Sequence, residues 1–198
     1  MPSPLQLILV NPDPEMCAAW RSAFVSLPKV TIVEGVFEDL EPHDCFVTAA
    51  NSFAMMTAGI DAAVVDFHGE QLMTRLQERI LTEFLGEQPV GTAIIEPTGT
   101  PAYPFVAHSP TMRVPKGIDG TDAVYIATFA ALVAIHHHNQ TDASPIETVA
   151  VPAMGAGFGY VPYPEVARQM AIAYDNYLHP PAHLDWDVVA ARHRRLSY

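Results

Sequence analysis

Short apolar runs and stretches of helical period take turns along almost the whole chain. "LQLILV" at 5–10, "VTIV" at 30–33, "CFVTAA" at 45–50, "VGTAIIE" at 90–96, "FVAH" at 105–108 and "ETVAVP" at 147–152 have the length and content of strands. Between them, Met16, Ala19, Trp20 and Phe24 mark a helix over 15–25, with Asp13 as N-cap and Pro14 at the first helical position. Helices over 60–68 and 70–85 are expected to part near Gly69, the second carrying Leu72, Leu76, Ile80 and Phe84 on one stripe. Thr121 caps a long, largely apolar helix over 122–138. Val166, Met170, Tyr174 and Tyr177 share one face of a helix over 164–178, "PP" at 180–181 stops it, and a short helix over 185–195 follows. Such alternation specifies α/β layering around a largely parallel sheet, in which ligands bind beyond the carboxyl ends of the strands.

With 198 residues the chain suits one domain over 1–198, large enough to bury its own core. A formal net charge of −12 repels duplex nucleic acid. The basic cluster Arg192, Arg194 and Arg195 reads as a solvated helix end. A small anion remains open to the chain, because main-chain N–H groups can hold it without a lysine. Cys17 and Cys45 sit in apolar patterns and read as small buried hydrophobes outside any disulfide. "MPSPLQLILV" lacks the basic start of a signal peptide, and no run reaches the ~18 apolar residues of a membrane span. The expectation is a soluble cytoplasmic protein with no membrane partner; the oligomeric state is left open. "HHH" at 136–138 places neighbours on different sides of a helix, and HExxH, CxxC and EF-hand patterns are absent, so neither metal nor cofactor is expected.

Two loops at strand ends carry unusual chemistry. "VPAMGAGFGYVP", 151–162, sets Gly155, Gly157 and Gly159 around Phe158, between a strand and a helix. Glycine there permits φ > 0 and leaves room for a ligand, while successive N–H groups and a helix dipole attract an anion. A tight turn that merely packs well is the alternative. No "GK[ST]", dinucleotide fingerprint or G-x-S-x-G elbow is present. "TAANSFAMMTAGID", 48–61, places Asn51 at a strand end, Gly59 for close approach and Asp61 at the start of a helix, where an acid also suits the helix terminus.

Together these loops resemble the macrodomain family, which binds ADP-ribose. "FVTAANSF", 46–53, is similar to its V-N-A-A-N stretch, "AGIDAAV", 58–64, to its G-G-V-D stretch, and 151–162 to its loop of the form S-T-G-I-F/Y-G-Y-P. The resemblance covers 30–178, leaving 179–198 as a C-terminal helical extension. It implies a three-layer α/β/α sandwich with a mixed, largely parallel central sheet.

The resemblance also implies roles. Asn51 bonds the distal ribose; Gly59 and Ile60 offer N–H groups to the diphosphate; Gly155, Ala156, Gly157 and Phe158 wrap it from the other side. Ala49, Ala50, Val36, Phe37, Ala153, Met154 and Gly159 complete the ligand-lining set. Asp61 aligns with the acid of hydrolytic members and, with Asn51, is the catalytic candidate for removing ADP-ribose from a modified substrate; a reader without turnover uses the same loops. The family's adenine-reading Asp is missing, for Gly35, Val36 and Phe37 stand there, with Glu34, Glu38 and Asp39 nearby. "HSPTMRVPKG", 108–117, is read as a surface loop, with a lid bearing Arg113 and Lys116 as the alternative. His108 is read as a polar cap ending a strand on the ligand edge.

Overall fold

A computed structural model describes residues 5–197. Six strands form one sheet in the order β2-β1-β6-β3-β5-β4. They are β1 (Gln6–Asn11), β2 (Val30–Glu34), β3 (Cys45–Asn51), β4 (Ile94–Pro97), β5 (Phe105–Met112) and β6 (Thr148–Val151). Only β4, at one edge, runs antiparallel to its neighbour. Six helices cover the faces: α1 (Pro14–Ala23), α2 (Gly59–His68), α3 (Gln71–Glu83), α4 (Ala123–Thr141), α5 (Tyr163–Leu178) and α6 (Trp186–Leu196). The result is the mixed, mostly parallel α/β/α arrangement that the alternating pattern specifies.

The strands are apolar on both faces because both faces are covered. Along β3, Cys45 and Val47 join the core formed with α1, α4 and α5, whereas Phe46 points to the core formed with α2 and α3. Trp20 of α1 and Tyr174 of α5 fill the first core, and the Tyr174 hydroxyl donates to the Leu5 carbonyl at 2.9 Å. Leu72, Leu76 and Ile80 of α3 are buried in the second.

The local signals act as expected at several ends. Asp13 accepts from the Glu15 N–H at 2.8 Å with Pro14 following, and Gly69 parts α2 from α3 at φ +92°. Elsewhere tertiary contacts move the boundaries. The strand expected from residue 90 begins at Ile94, because Gly91 at φ +96° bends the preceding stretch. Thr121 accepts from the Ala123 N–H at 3.3 Å, and α4 runs on to Thr141. β5 runs four residues past His108, so 108–112 is buried strand and not surface loop. The C-terminal arginines are only partly solvated: Arg195 pairs with Asp175 at 2.7 Å, and Arg192 donates to the Asn176 carbonyl. Among the described residues no helix is long and apolar enough to cross a membrane.

Candidate functional site

The five parallel strands end at the same edge of the sheet, and the segments that leave those ends enclose a cavity of about 570 Å³. Asn11 ends β1 and Pro12 follows it, Gly35–Glu38 follow β2, Met55 and Thr57–Asp61 follow β3, Thr111–Met112 end β5 and Pro115 lies just beyond, and Pro152–Ala153 and Gly155–Gly159 follow β6. Parallel pairing makes this convergence, since each crossover helix returns the chain to the opposite edge. The volume is that of a typical small-molecule site.

Nearly every residue singled out from the sequence lines this cavity: Val36, Phe37, Ala49, Ala50, Asn51, Gly59, Ile60, Asp61, Ala153, Gly155, Ala156, Gly157, Phe158 and Gly159. Met154 does not. It is fully buried in the core beside α4 and α5, because its side chain takes the inward direction at the turn while Ala153 faces the cavity. Arg113 and Lys116 are also outside the lining. Arg113 is clamped by both Glu87 oxygens, at 2.6 and 2.9 Å, and lies 5.3 Å over the Phe53 ring. It fastens the rim and does not reach the cavity. Of the three acids near the missing adenine-site position, Glu38 lines the mouth, while Glu34 is drawn to Arg21 at 3.7 Å. Asn11, Met55, Met112 and Tyr163 were not singled out; they line the site because the ends of β1 and β5, the segment after β3 and the start of α5 converge there.

The glycine loop divides into two kinds of glycine. A Cβ on Gly155 would stand 2.9 Å from Val124 and 3.1 Å from Ile118, at φ +77°. A Cβ on Gly159 would collide with the Gly155 carbonyl. Both are demanded by the packing of the turn. Gly157 meets nothing within 4 Å, so packing does not explain it. Within the loop, Ala156 donates to Ala153 and Tyr160 to Gly157, at 3.2 and 3.0 Å. The N–H groups of Gly157, Phe158 and Gly159 find no partner among the described residues.

Across the cavity, α2 begins without a side-chain cap at Ala58. Its first three N–H groups, from Gly59, Ile60 and Asp61, are the unmatched donors that every helix start leaves. Ala62 makes the first turn's bond, to Ala58 at 3.4 Å. Two sets of free main-chain donors thus face one space, and the helix dipole adds positive potential to one of them.

Asp61 sits in that first turn, 7% exposed, with Oδ1 lacking any partner. Burial is the cause that raises its carboxyl to about 7. Asn51 lines the cavity and also bonds its own loop. Its Oδ1 accepts from Phe53 and Met55 at 3.1 and 3.3 Å, and its Nδ2 donates to the Met55 carbonyl at 3.0 Å. The amide therefore staples a turn in which Ala54 holds φ +48°, and one N–H remains for a ligand.

His108, on β5 three residues before Thr111, is outside the cavity lining and fully buried. Its Nδ1 meets Gln88 Oε1 at 2.7 Å, its Nε2 has no partner, and burial lowers it to about 3. It is a neutral interior histidine, not a cap at the ligand edge. His136, His137 and His138 do not converge, and no group of metal-ligating residues forms among the described residues. Cys17 and Cys45 are free and buried.

The sequence matches the Macro domain family over residues 47–170. An uncharacterized protein of Aquifex aeolicus is 30% identical over 141 residues, which is 71% of this chain and 78% of that protein. Among solved structures, the macrodomain of Mycobacterium tuberculosis DarG aligns with a TM-score of 0.62 at 18% identity, covering 74% of this chain and 90% of the other. A mutant Oceanobacillus iheyensis macrodomain with ADPR aligns with a TM-score of 0.62 at 17% identity, covering 99% and 94%.

Proposed function

Because the chain belongs to the Macro domain family, we propose that it binds ADP-ribose in the cavity at the strand ends, as one domain, and hydrolyses the bond between the distal ribose and a modified substrate. One observation carries the ligand reading: two sets of unpartnered main-chain donors, at the start of α2 and at Gly157–Gly159, confront each other across a space lined by no basic side chain. A diphosphate needs many short-range donors and no base pair, groove or metal. Glycine main chain supplies them on a chain of charge −12, because long-range repulsion is screened within ~8 Å at physiological salt.

Asp61 supports the hydrolytic reading. Its ionised carboxylate accepts a proton from a water, the water oxygen bonds to C1″ of the ribose, and the substrate side chain leaves with its bonding electrons. A carboxyl held at about 7 is half ionised near neutrality, which suits it to that transfer. Phe158, half exposed at the cavity wall, holds the sugar to one line of attack. The staple made by the Asn51 amide favours a second reading, a reader that binds without turnover, since little of that amide is left to orient the ribose. The two free buried cysteines suit a reducing cytoplasm.

The test of the ligand is a thermal-shift series with ADP-ribose, AMP, NAD and cyclic nucleotides. ADP-ribose is expected to stabilise selectively by mass action; equal or absent shifts for the whole set would overturn the reading.

A further inference from the structure

The cavity holds an anion-shaped arrangement of donors and yet no lysine or arginine lines it; its ionisable side chains are Glu38, Asp61 and Tyr163. Glu38 is exposed at the mouth and Tyr163 donates to Asp13 at 2.8 Å. Asp61 alone is buried, and its unpartnered Oδ1 belongs to the same helix turn whose N–H groups are free. We propose that Asp61 is the neutral acid in the complex with free ADP-ribose, the product of the proposed hydrolysis, so that this anion and one proton bind together; the proton is the one its carboxylate takes from water when the bond is broken. This rests on the diphosphate reading above and specifies how the site balances the ligand's charge.

In the free protein no hydrogen bond reaches Asp61 Oδ1, and the N–H groups that start α2 beside it are unpartnered. A diphosphate held by the N–H groups of Gly59 and Ile60 brings two negative charges beside that buried carboxylate in a site lined by no lysine or arginine. A proton from solvent then adds to the Asp61 carboxylate, and the resulting O–H can donate to the ligand. No other charge offers relief. Burial is the only cause acting on the Asp61 carboxyl. Asp66 of α2 is exposed, His68 at the far end of the helix is held neutral by burial, and β3 brings no ionisable group to this end. On α3, Arg75 and Arg79 are engaged with Glu96 and Glu83. The carboxyl already lies at about 7 without ligand, so the step to full protonation is short.

ADP-ribose is a clean probe, because its diphosphate is esterified at both ends and lacks the ionisation near pH ~6 of a terminal phosphate. Calorimetry at pH 7 in PIPES and in Tris is expected to give binding enthalpies that differ by uptake of about half a proton per ligand, given a carboxyl at about 7. The affinity should fall by up to about tenfold per pH unit between pH 7 and 9. In Asp61→Asn the enthalpy should become buffer-independent, while Glu38→Gln should keep the wild-type dependence. Wild-type enthalpy that does not depend on buffer, or uptake that survives in Asp61→Asn, would overturn the proposal while leaving the ligand assignment standing. Absence of any binding heat would remove both. Should Asp61→Asn not fold, the carboxyl ¹³C shift of Asp61 in the wild type, titrated with and without ADP-ribose, reads the same quantity; a ligand that lowers its pKa refutes the inference.

Discussion

A Cβ built on Gly59 would stand 3.7 Å from Cε2 of Phe158. The start of α2 and the glycine loop therefore approach each other until one methyl group would fill the gap between glycine and ring. That approach sets the two groups of donors on either side of one cavity, and it makes the glycines the first place to probe.

Gly157→Val should separate binding from folding. Its Cβ meets open space and its φ is not in the left-handed region, so the melting temperature should change by no more than a degree or two, while ADP-ribose affinity drops at least tenfold. Gly155→Ala should do the reverse first, losing about 2–3 kcal/mol of stability because a methyl at φ +77° presses on Val124 and Ile118. Denaturant melts beside calorimetry on both variants check the pair.

Asp61→Asn should reduce release of ADP-ribose from a modified protein by about 10²–10⁴ if the carboxylate is the base. Unchanged turnover in single-turnover assays would leave Asp61 as a binding residue and favour the reader.

The same substitution should stabilise the fold at alkaline pH. Asp61 is raised from 3.8 to about 7 in the native state, so between those values the native state holds the proton that the unfolded state has lost. Stability from this group is complete below 3.8 and falls as pH rises to 7, by about 4 kcal/mol for the full shift. Asp61→Asn removes the loss, and its melting temperature should exceed that of wild type more at pH 8 than at pH 5.

His108 acts on the acid side. Burial lowers it from 6.5 to about 3, so the unfolded state binds the proton first as pH falls through 6.5, and stability drops until pH 3. His108→Leu should flatten this limb in urea melts at pH 4, at the cost of leaving Gln88 Oε1 without its partner.

Asn51→Ala should free the turn that the amide staples, losing about 1–3 kcal/mol and exposing the Phe53 and Met55 amides to hydrogen exchange. Protection that persists at both amides would show that Arg113, stacked on Phe53, holds the loop without Asn51.

Local order along the chain was sufficient to name the layers and the loops. The alternation of apolar runs and helical stripes, the Asp13–Pro14 start of α1 and the Gly69 break all act over a few residues, where backbone sterics and side-chain caps decide the outcome. The site's membership from β3, α2 and the glycine loop was legible for the same reason, since each motif is contiguous. What the loops do to one another was not. Whether Met154 faces cavity or core, why packing demands glycine at Gly155 and Gly159 but not at Gly157, and where 108–112 lies depend on Val124, Ile118 and the β3–β5 pairing, which are distant in sequence. The same holds for charge. An aspartate at a helix start reads alike whether wet or dry, and only the enclosure by five strand ends takes Asp61 out of water and holds its proton near neutrality.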